Sequence, residues 1–334
     1  PGAYVKAVNG VDFFINKGET LGLVGESGCG KSTVGKCIIG LEAITEGSIT
    51  MDGLEISAMK EQERRHIRKD IQMVFQNPYA SLNQRRNILQ IIDEPMQVNL
   101  GLSRAERVAR TKELLRMVGL RDEYCSRYPH EFSGGQRQRI AIARALSVNP
   151  RLVIADEAVP ALDVSIQSQV INLFRELQQK LELTYLFISH NLCVVKYISD
   201  RIGVMYLGEL VEVAETEELF RNPCHPYTKS LLSAIPLADV SEGEEQRRQE
   251  RIILKGDVPS PANPRSGCYS TPDALWPRKF AVRRSPAAWK LPPGIPWPAI
   301  CSARGCERVK NILQIENLSI SFRTDEGTFN MIKD

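Results

Sequence analysis

The chain has 334 residues, 43% of them hydrophobic and 25% charged, the make-up of an ordinary soluble globular protein with room for one large domain or two smaller ones. A formal net charge of +3 supplies no basic field of the kind that grips nucleic acid, so no nucleic-acid partner is expected. No stretch approaches the ~20 apolar residues that span a bilayer and no secretory signal opens the sequence; the eight cysteines at irregular spacings, with Cys37 and Cys193 inside apolar runs, read as reduced thiols of a cytosolic protein.

The first strong signal along the chain is "TLGLVGESGCGKSTVGKCIIGL". Residues 21–24 predict a buried strand. Gly25-Glu26-Ser27-Gly28-Cys29-Gly30-Lys31-Ser32, followed by Thr33, fits G-x-x-x-x-G-K-[ST], and Val34, Cys37, Ile38 and Leu41 then recur at helical spacing. Glycines let backbone N–H groups turn inward on phosphate oxygens, and the following helix adds its N-terminal dipole. Lys31 is expected to reach the β- and γ-phosphates of a nucleoside triphosphate and Ser32 to hold Mg²⁺. A glycine-rich turn before a helix is the bland alternative, and it does not account for Lys-Ser-Thr.

Next, "IQMVFQNP" predicts a strand that ends near Gln76, whose amide can face a metal or a water. Residues 77–145 read as mostly helical; "SRAERVARTKELLRMVGL" has Ser103 as an N-cap ahead of a helical period. "EFSGGQRQRIAIARAL" predicts a helix from about residue 138 to 147, preceded by Ser133-Gly134-Gly135-Gln136, a serine hydroxyl and two small residues at a helix N-terminus, and so a second anion site. "PRLVIADEAVPALDV" gives another buried strand, over residues 152–155, that runs into Asp156-Glu157. An acid there needs a partner. Mg²⁺ suits Asp156, and Glu157 can act as general base on a water. "TYLFISH" closes one more apolar strand on His190, placed to meet a γ-phosphate. "VSEGEEQRRQE" is a charged linker, and residues 270–308 show neither helical nor strand period.

Taken together and in this order, the glycine loop, Gln76, Ser133-Gly134-Gly135-Gln136, Asp156-Glu157, Asp163 and His190 resemble the motif set of ABC-type ATPases. The resemblance covers residues 1 to about 268 and narrows, through "QNPYASLNQRRNI", "HPYTKSLLSAIP" and "LKGDVPSPANPRSGC", to ATP-binding subunits of oligopeptide and dipeptide importers, a group that includes nickel importers. It implies an α/β fold: a P-loop NTPase (RecA-like) core over residues 1–75 and 146–235, an inserted helical subdomain over 77–145, and a C-terminal extension over 236–268. It also implies ATP and Mg²⁺ as cofactors, with Ser32, Gln76 and Asp156 around the metal and Glu157, His190 and Gln76 in catalysis. Ser133 to Gln136 would face the γ-phosphate held by the other protomer of a head-to-tail dimer, homo- or heterodimeric, with Asp163 in the loop between protomers. Two transmembrane permease subunits would dock near residues 77–87, at the cytoplasmic face of the membrane, and cargo would arrive from a separate extracytoplasmic binding protein. DNA-repair or ribosome-associated ABC proteins are the competing class; they generally carry coiled coils, zinc modules or two cassettes, which are not visible here. A hydrolysis-impaired binding module is a further alternative.

Departures from the family pattern occur at three places. Ala158 stands where the family has Pro, and Pro160 where it has Ser, which puts the geometry of the Asp163 loop and the rate of hydrolysis in doubt. The family opens with a strand that leads to an adenine-stacking aromatic; here that strand is expected to be missing, and Tyr4 is the nearby aromatic candidate. After Cys268 the family's closing cysteine motifs are absent. Back-translated with one T added after the codon of Tyr269, residues 269–277 permit Tyr-Phe-His-Thr-Arg-Cys-Pro-Met-Ala, and in the same frame residues 293–301 permit Gly-His-Ser-Val-Ala-Cys-His. Residues 269–308 therefore read as a scrambled, poorly ordered frameshift product, with Cys301 and Cys306 accidental and no intact metal cluster; a divergent tail is the rival reading. "ILQIENLSISFRTDEGTF" in turn resembles the first strands of another ABC ATPase, either read-through into a next gene that starts at Val309 or a strand that completes this chain's own or a neighbour's sheet.

Overall fold

The computed structural model describes residues 3–159, 164–235 and 311–324. In chain order it comprises β1 (Ala3–Asn16), β2 (Thr20–Val24), α1 (Lys31–Ile38), β3 (Glu46–Met51), β4 (Leu54–Glu55), α2 (Glu61–Arg68), β5 (Ile71–Val74), α3 (Pro78–Ser81), α4 (Ile88–Asn99) and α5 (Arg104–Met117). Two short 3₁₀ turns lead to α6 (Gly134–Leu146), β6 (Leu152–Asp156), α7 (Val164–Leu181), β7 (Thr184–Ile188), α8 (Leu192–Ile198), β8 (Arg201–Tyr206), β9 (Glu209–Glu215), α9 (Thr216–Arg221), α10 (Pro226–Ser233) and β10 (Asn311–Thr324).

The main sheet runs β5-β6-β7-β2-β8-β9 and is parallel but for β9. Its inner strands are covered on both faces, which is why they read as unbroken apolar runs. Alternate residues serve different layers. Val153 and Ala155 of β6 join Phe174, Phe187 and the apolar residues of α4 to α8, while Leu152 and Ile154 join α1 and the strands of a second sheet.

That second sheet is antiparallel, in the order β1-β10-β3-β4. β10 occupies an inner position and pairs with β1 on one side and β3 on the other, so that Ile315 lies opposite Phe13 and Ile49. Ile312, Leu313, Ile315, Leu318 and Ile320 are all at most 1% exposed. The segment that resembles the opening strands of another ABC ATPase is thus an inner strand of the chain's own sheet, the second of the two placements its sequence left open, and its apolar residues pack with those of β1 and β3.

Local chemistry sets several boundaries. Ser103 caps α5 in a capping box with Glu106. α1 stops at Ile38, and Leu41, which continues the helical spacing in the sequence, is 57% exposed beyond it. Cys37 is buried, whereas Cys193 is exposed. Residues 160–163, with Pro160 and Asp163, and residues 236–310, with the linker, the extension and Cys268, Cys301 and Cys306, lie outside the described residues.

Candidate active site

The parallel strands deliver their chemistry at one edge. The loops after β2, β5, β6 and β7 all leave from carboxyl ends, the edge at which open α/β sheets bind ligands. The loop after β2 carries Gly25 to Lys31. It lies so close to its neighbours that two positions exclude a side chain. A Cβ on Gly25 (φ +152°) would come 2.1 Å from the carbonyl oxygen of Met205, and one on Gly30 (φ +101°) would come 2.4 Å from that of Ala7. Cys29 is tucked in beside them, its thiol pushed up chiefly by burial, with the Lys31 ammonium pulling the other way. Lys31 is 4% exposed. Its Nζ donates to the carbonyls of Gly25 (2.8 Å) and Glu26 (2.7 Å), so the ammonium is folded back over the loop it serves. Ser27 and Gly28 are exposed at the rim of the loop, Gly28 with φ +83°, and Ser32 and Thr33 open α1, partly buried.

Ser32 joins this loop to the end of β6. Its hydroxyl donates to Asp156 Oδ1 at 2.8 Å. Asp156 is 4% exposed; its carboxyl is pushed up, first by burial, against which the Ser32 hydrogen bond works, while neighbouring Glu157 adds to the rise. A buried carboxylate so placed is short of positive charge. With the Ser32 hydroxyl it offers oxygen donors, the chemistry that suits a hard divalent cation, whereas Gln76 directs its amide N–H to Glu157.

Glu157 adopts φ +43°, a left-handed conformation that costs a non-glycine residue about 1–3 kcal/mol and is met at functional sites. Its N–H donates to the Ile188 carbonyl at 2.9 Å. Its carboxylate meets two side chains from other strand ends: Gln76 Nε2 donates to Oε2 at 2.7 Å, and His190 Nδ1 lies 3.2 Å from Oε1. Three residues predicted separately from three strand ends are therefore in direct contact, one step from the Ser32–Asp156 pair. Ala158, just beyond, is fully buried in the core.

Ser133, Gly134, Gly135 and Gln136 lie elsewhere. They open α6, which starts at Gly134 and not near residue 138. Ser133 Oγ accepts the Gln136 N–H at 3.3 Å, and Gln136 Oε1 accepts the Ser133 N–H at 3.1 Å. This reciprocal capping box starts the helix inside the motif itself. No hydrogen bond joins these four residues to the Glu157 cluster among the described residues. Tyr4 lies in β1 opposite Arg323, its side chain outside the described residues.

Sequence reasoning missed one participant. Tyr227, at the start of α10, is 1% exposed, and its hydroxyl accepts the N–H of Glu26 at 3.1 Å, across 201 residues of sequence. The stretch "HPYTKSLLSAIP" stood out in the sequence, but nothing in its spacing points to the loop after β2.

A parallel α/β sheet with a glycine-rich phosphate loop, a strand-end Asp-Glu pair and an inserted helical layer defines a P-loop ATPase. Residues 8–160 match the family model described as ABC transporter, and residues 211–271 the one described as oligopeptide/dipeptide transporter, C-terminal region. The chain is 57% identical over 265 residues to the oligopeptide transport ATP-binding protein AppF of Bacillus subtilis, an alignment that covers 79% of this chain and 80% of AppF. It is 51% identical over 269 residues to the oligopeptide transport ATP-binding protein OppF of Escherichia coli, covering 80% of each. Among solved structures it is similar to the dimeric structure of MJ0796, a bacterial ABC transporter cassette, with a TM-score of 0.58 and 29% identity over 64% of this chain and 97% of that one. A second MJ0796 structure, a dimeric post-hydrolysis state bound to ADP and Pi, gives a TM-score of 0.59, with the same identity and coverage. The chain belongs to the ABC transporter family, among its oligopeptide/dipeptide transport ATP-binding proteins, and is an ATPase of that type. No helix among the described residues is long and apolar enough to cross a membrane.

Proposed function

We propose that this chain binds and hydrolyses ATP to power a membrane importer of oligopeptides or dipeptides. One observation carries the catalytic half of this reading: Gln76, Glu157 and His190, from three strand ends, converge on one carboxylate beside the Ser32–Asp156 pair. The loop of residues 25–33 cradles the phosphates, and Lys31 swings from its two carbonyl partners onto phosphate oxygens. Glu157 accepts a proton from the attacking water. His190 and Gln76 hold that carboxylate and face the transferring phosphoryl group. Ser32, Asp156 and Gln76 would hold Mg²⁺, which would supply positive charge against the phosphates.

Ser133, exposed at the start of α6, faces the γ-phosphate on a second ATPase subunit, a reading supported by the likeness to dimeric cassettes. Residues 77–87 form the dock for the permease pair. Tyr79 is 52% exposed there, with the Arg137 guanidinium over its ring at 5.1 Å, and Arg144 donates to the Ser81 carbonyl, so the dock is tied to α6. Force on the permease thereby reaches the helix of Ser133 directly. The subunit works at the cytoplasmic face of the membrane, and peptide cargo comes from an extracytoplasmic binding protein. The peptide assignment draws on the similarity to AppF and OppF and on the matched extension.

The test is steady-state ATP turnover of the full chain against Glu157→Gln. Loss of the general base should lower kcat by about 10²-fold or more while nucleotide binding persists. A wild type that turns over no faster than the variant refutes the catalytic assignment.

A further inference from the structure

The peptide group between Gly25 and Glu26 is held at both ends. Its carbonyl oxygen, that of Gly25, accepts Lys31 Nζ at 2.8 Å, and its N–H, that of Glu26, donates to the Tyr227 hydroxyl at 3.1 Å. Lys31 belongs to the loop itself. Tyr227 belongs to α10, in the region matched to the oligopeptide/dipeptide transporter extension. The tyrosine is fixed in turn. Its ring packs on Tyr206 with centroids 4.4 Å apart, its own N–H donates to His225 Nδ1 at 3.2 Å, and Glu212 of β9 accepts the N–H groups of Cys224 (2.7 Å) and His225 (2.9 Å). A continuous run of contacts thus leads from β9 through α10 to the phosphate loop.

We infer that Tyr227 is a positioning residue for the phosphate loop: its hydroxyl sets the plane of the Gly25–Glu26 peptide, and through it the carbonyl on which Lys31 rests before it meets the phosphates of a nucleoside triphosphate. This rests on reading residues 25–33 as the phosphate-binding loop. Packing alone would need only the ring, which Tyr206 already covers; the hydroxyl is the part that reaches the loop. Burial above all pushes that phenol far up, so it stays a neutral hydrogen-bonding group. Without it, the Glu26 N–H loses this acceptor beneath a buried ring, and part of the cost of holding the peptide plane falls on nucleotide binding.

The experiment compares the full chain with Tyr227→Phe, which keeps the ring and removes the hydroxyl. ATP turnover and binding of a fluorescent ATP analogue are measured beside thermal unfolding. The expected result is a KM and a dissociation constant raised about tenfold, the size of one lost hydrogen bond, with kcat within about twofold. A folded Tyr227→Phe chain with unchanged KM overturns the inference, as does a fall in kcat at constant KM. Should that variant fail to fold, Glu212→Gln reads the same run of contacts from its far end: a KM raised about two- to threefold at constant kcat supports the inference, and an unchanged KM overturns it. Lys31→Ala separates the two levels. If it binds ATP as the wild type does, the phosphate-loop reading falls and takes this inference with it; if it loses binding while Tyr227→Phe behaves as wild type, this inference alone falls.

Discussion

Acidification should weaken the fold through His225, by an amount that its surroundings set. The imidazole N-caps α10, with Nδ1 accepting the Tyr227 N–H at 3.2 Å, and is 6% exposed. Burial lowers its pKa from 6.5 to about 4. A proton on Nδ1 would remove the acceptor and set a cation against the positive end of the helix. Because the folded-state pKa lies below the unfolded one, the unfolded chain binds the extra proton between these values. The contribution is complete above pH 6.5 and is lost as pH falls towards 4. At 1.36 kcal/mol per pH unit the gap amounts to about 3 kcal/mol at most, a sizeable share of a typical stability of about 5–15 kcal/mol. Glu19, Asp156 and Glu209 have carboxyls pushed up by burial, so they act in the opposite direction on acidification. A single curve therefore mixes both signs, and a variant is needed to isolate the histidine. His225→Asn keeps a side chain able to cap and removes the titration. Urea unfolding of both proteins from pH 7.5 to 4.5 should show the wild type losing about 2–3 kcal/mol more than the variant. Parallel pH profiles would refute the reasoning.

Three further outcomes follow from the geometry. Ile315→Ala should cost about 2–5 kcal/mol in chemical denaturation, because the side chain lies between Phe13 and Ile49 at 1% exposure; Phe322→Ala on the same strand, at a site 37% exposed, should cost well under half of that. Ser133→Ala should destabilise α6 by about 1 kcal/mol, whereas Ser133→Asp should keep the cap and the stability yet lose ATP turnover if the hydroxyl faces a partner's nucleotide; circular dichroism melts and a turnover assay distinguish the two. Gly30→Ala should fold but bind ATP at least about tenfold more weakly, since the new methyl meets the Ala7 carbonyl at 2.4 Å with φ at +101°; fluorescent-nucleotide titration reads the loss.

The parts of the site that close apolar strands are legible in the sequence. β2, β6 and β7 are buried along their whole length, so each reads as a largely apolar run, and polar residues at or just past its carboxyl end stand out against it. That pattern points to Asp156, Glu157 and His190, while Lys31 is marked by the spacing of the glycine loop that follows β2, and the contacts of Glu157 with Gln76 and His190 follow from neighbouring strands of one sheet. Other features depend on groups that compete locally. Two glycines argue against a helix at residues 134–135, yet the Ser133–Gln136 box outweighs their entropic cost and starts α6 there. Leu41 fits the helical period but falls after the turn at Gly40, with φ +74°. Long-range pairing leaves no local trace. The Tyr227–Glu26 hydrogen bond and the seat of β10 join segments hundreds of residues apart, and a period-2 pattern says that a strand exists without saying which edge receives it.

The inner seat of β10 also dictates the order in which the molecule can be finished during synthesis. Ala3 pairs with Thr324, so β1 leaves the ribosome long before the strand that separates it from β3. At about 5–20 residues per second, the roughly 300 intervening residues take on the order of 15–60 seconds to make. Throughout that interval the ATP-binding core can fold around its parallel sheet, while β1 and β3 keep open edges and the apolar faces later covered by Ile312, Leu313 and Ile315 stay wet. Open edges of this kind invite pairing with other nascent chains, so slower translation or a reduced chaperone supply should lower the yield of folded chain.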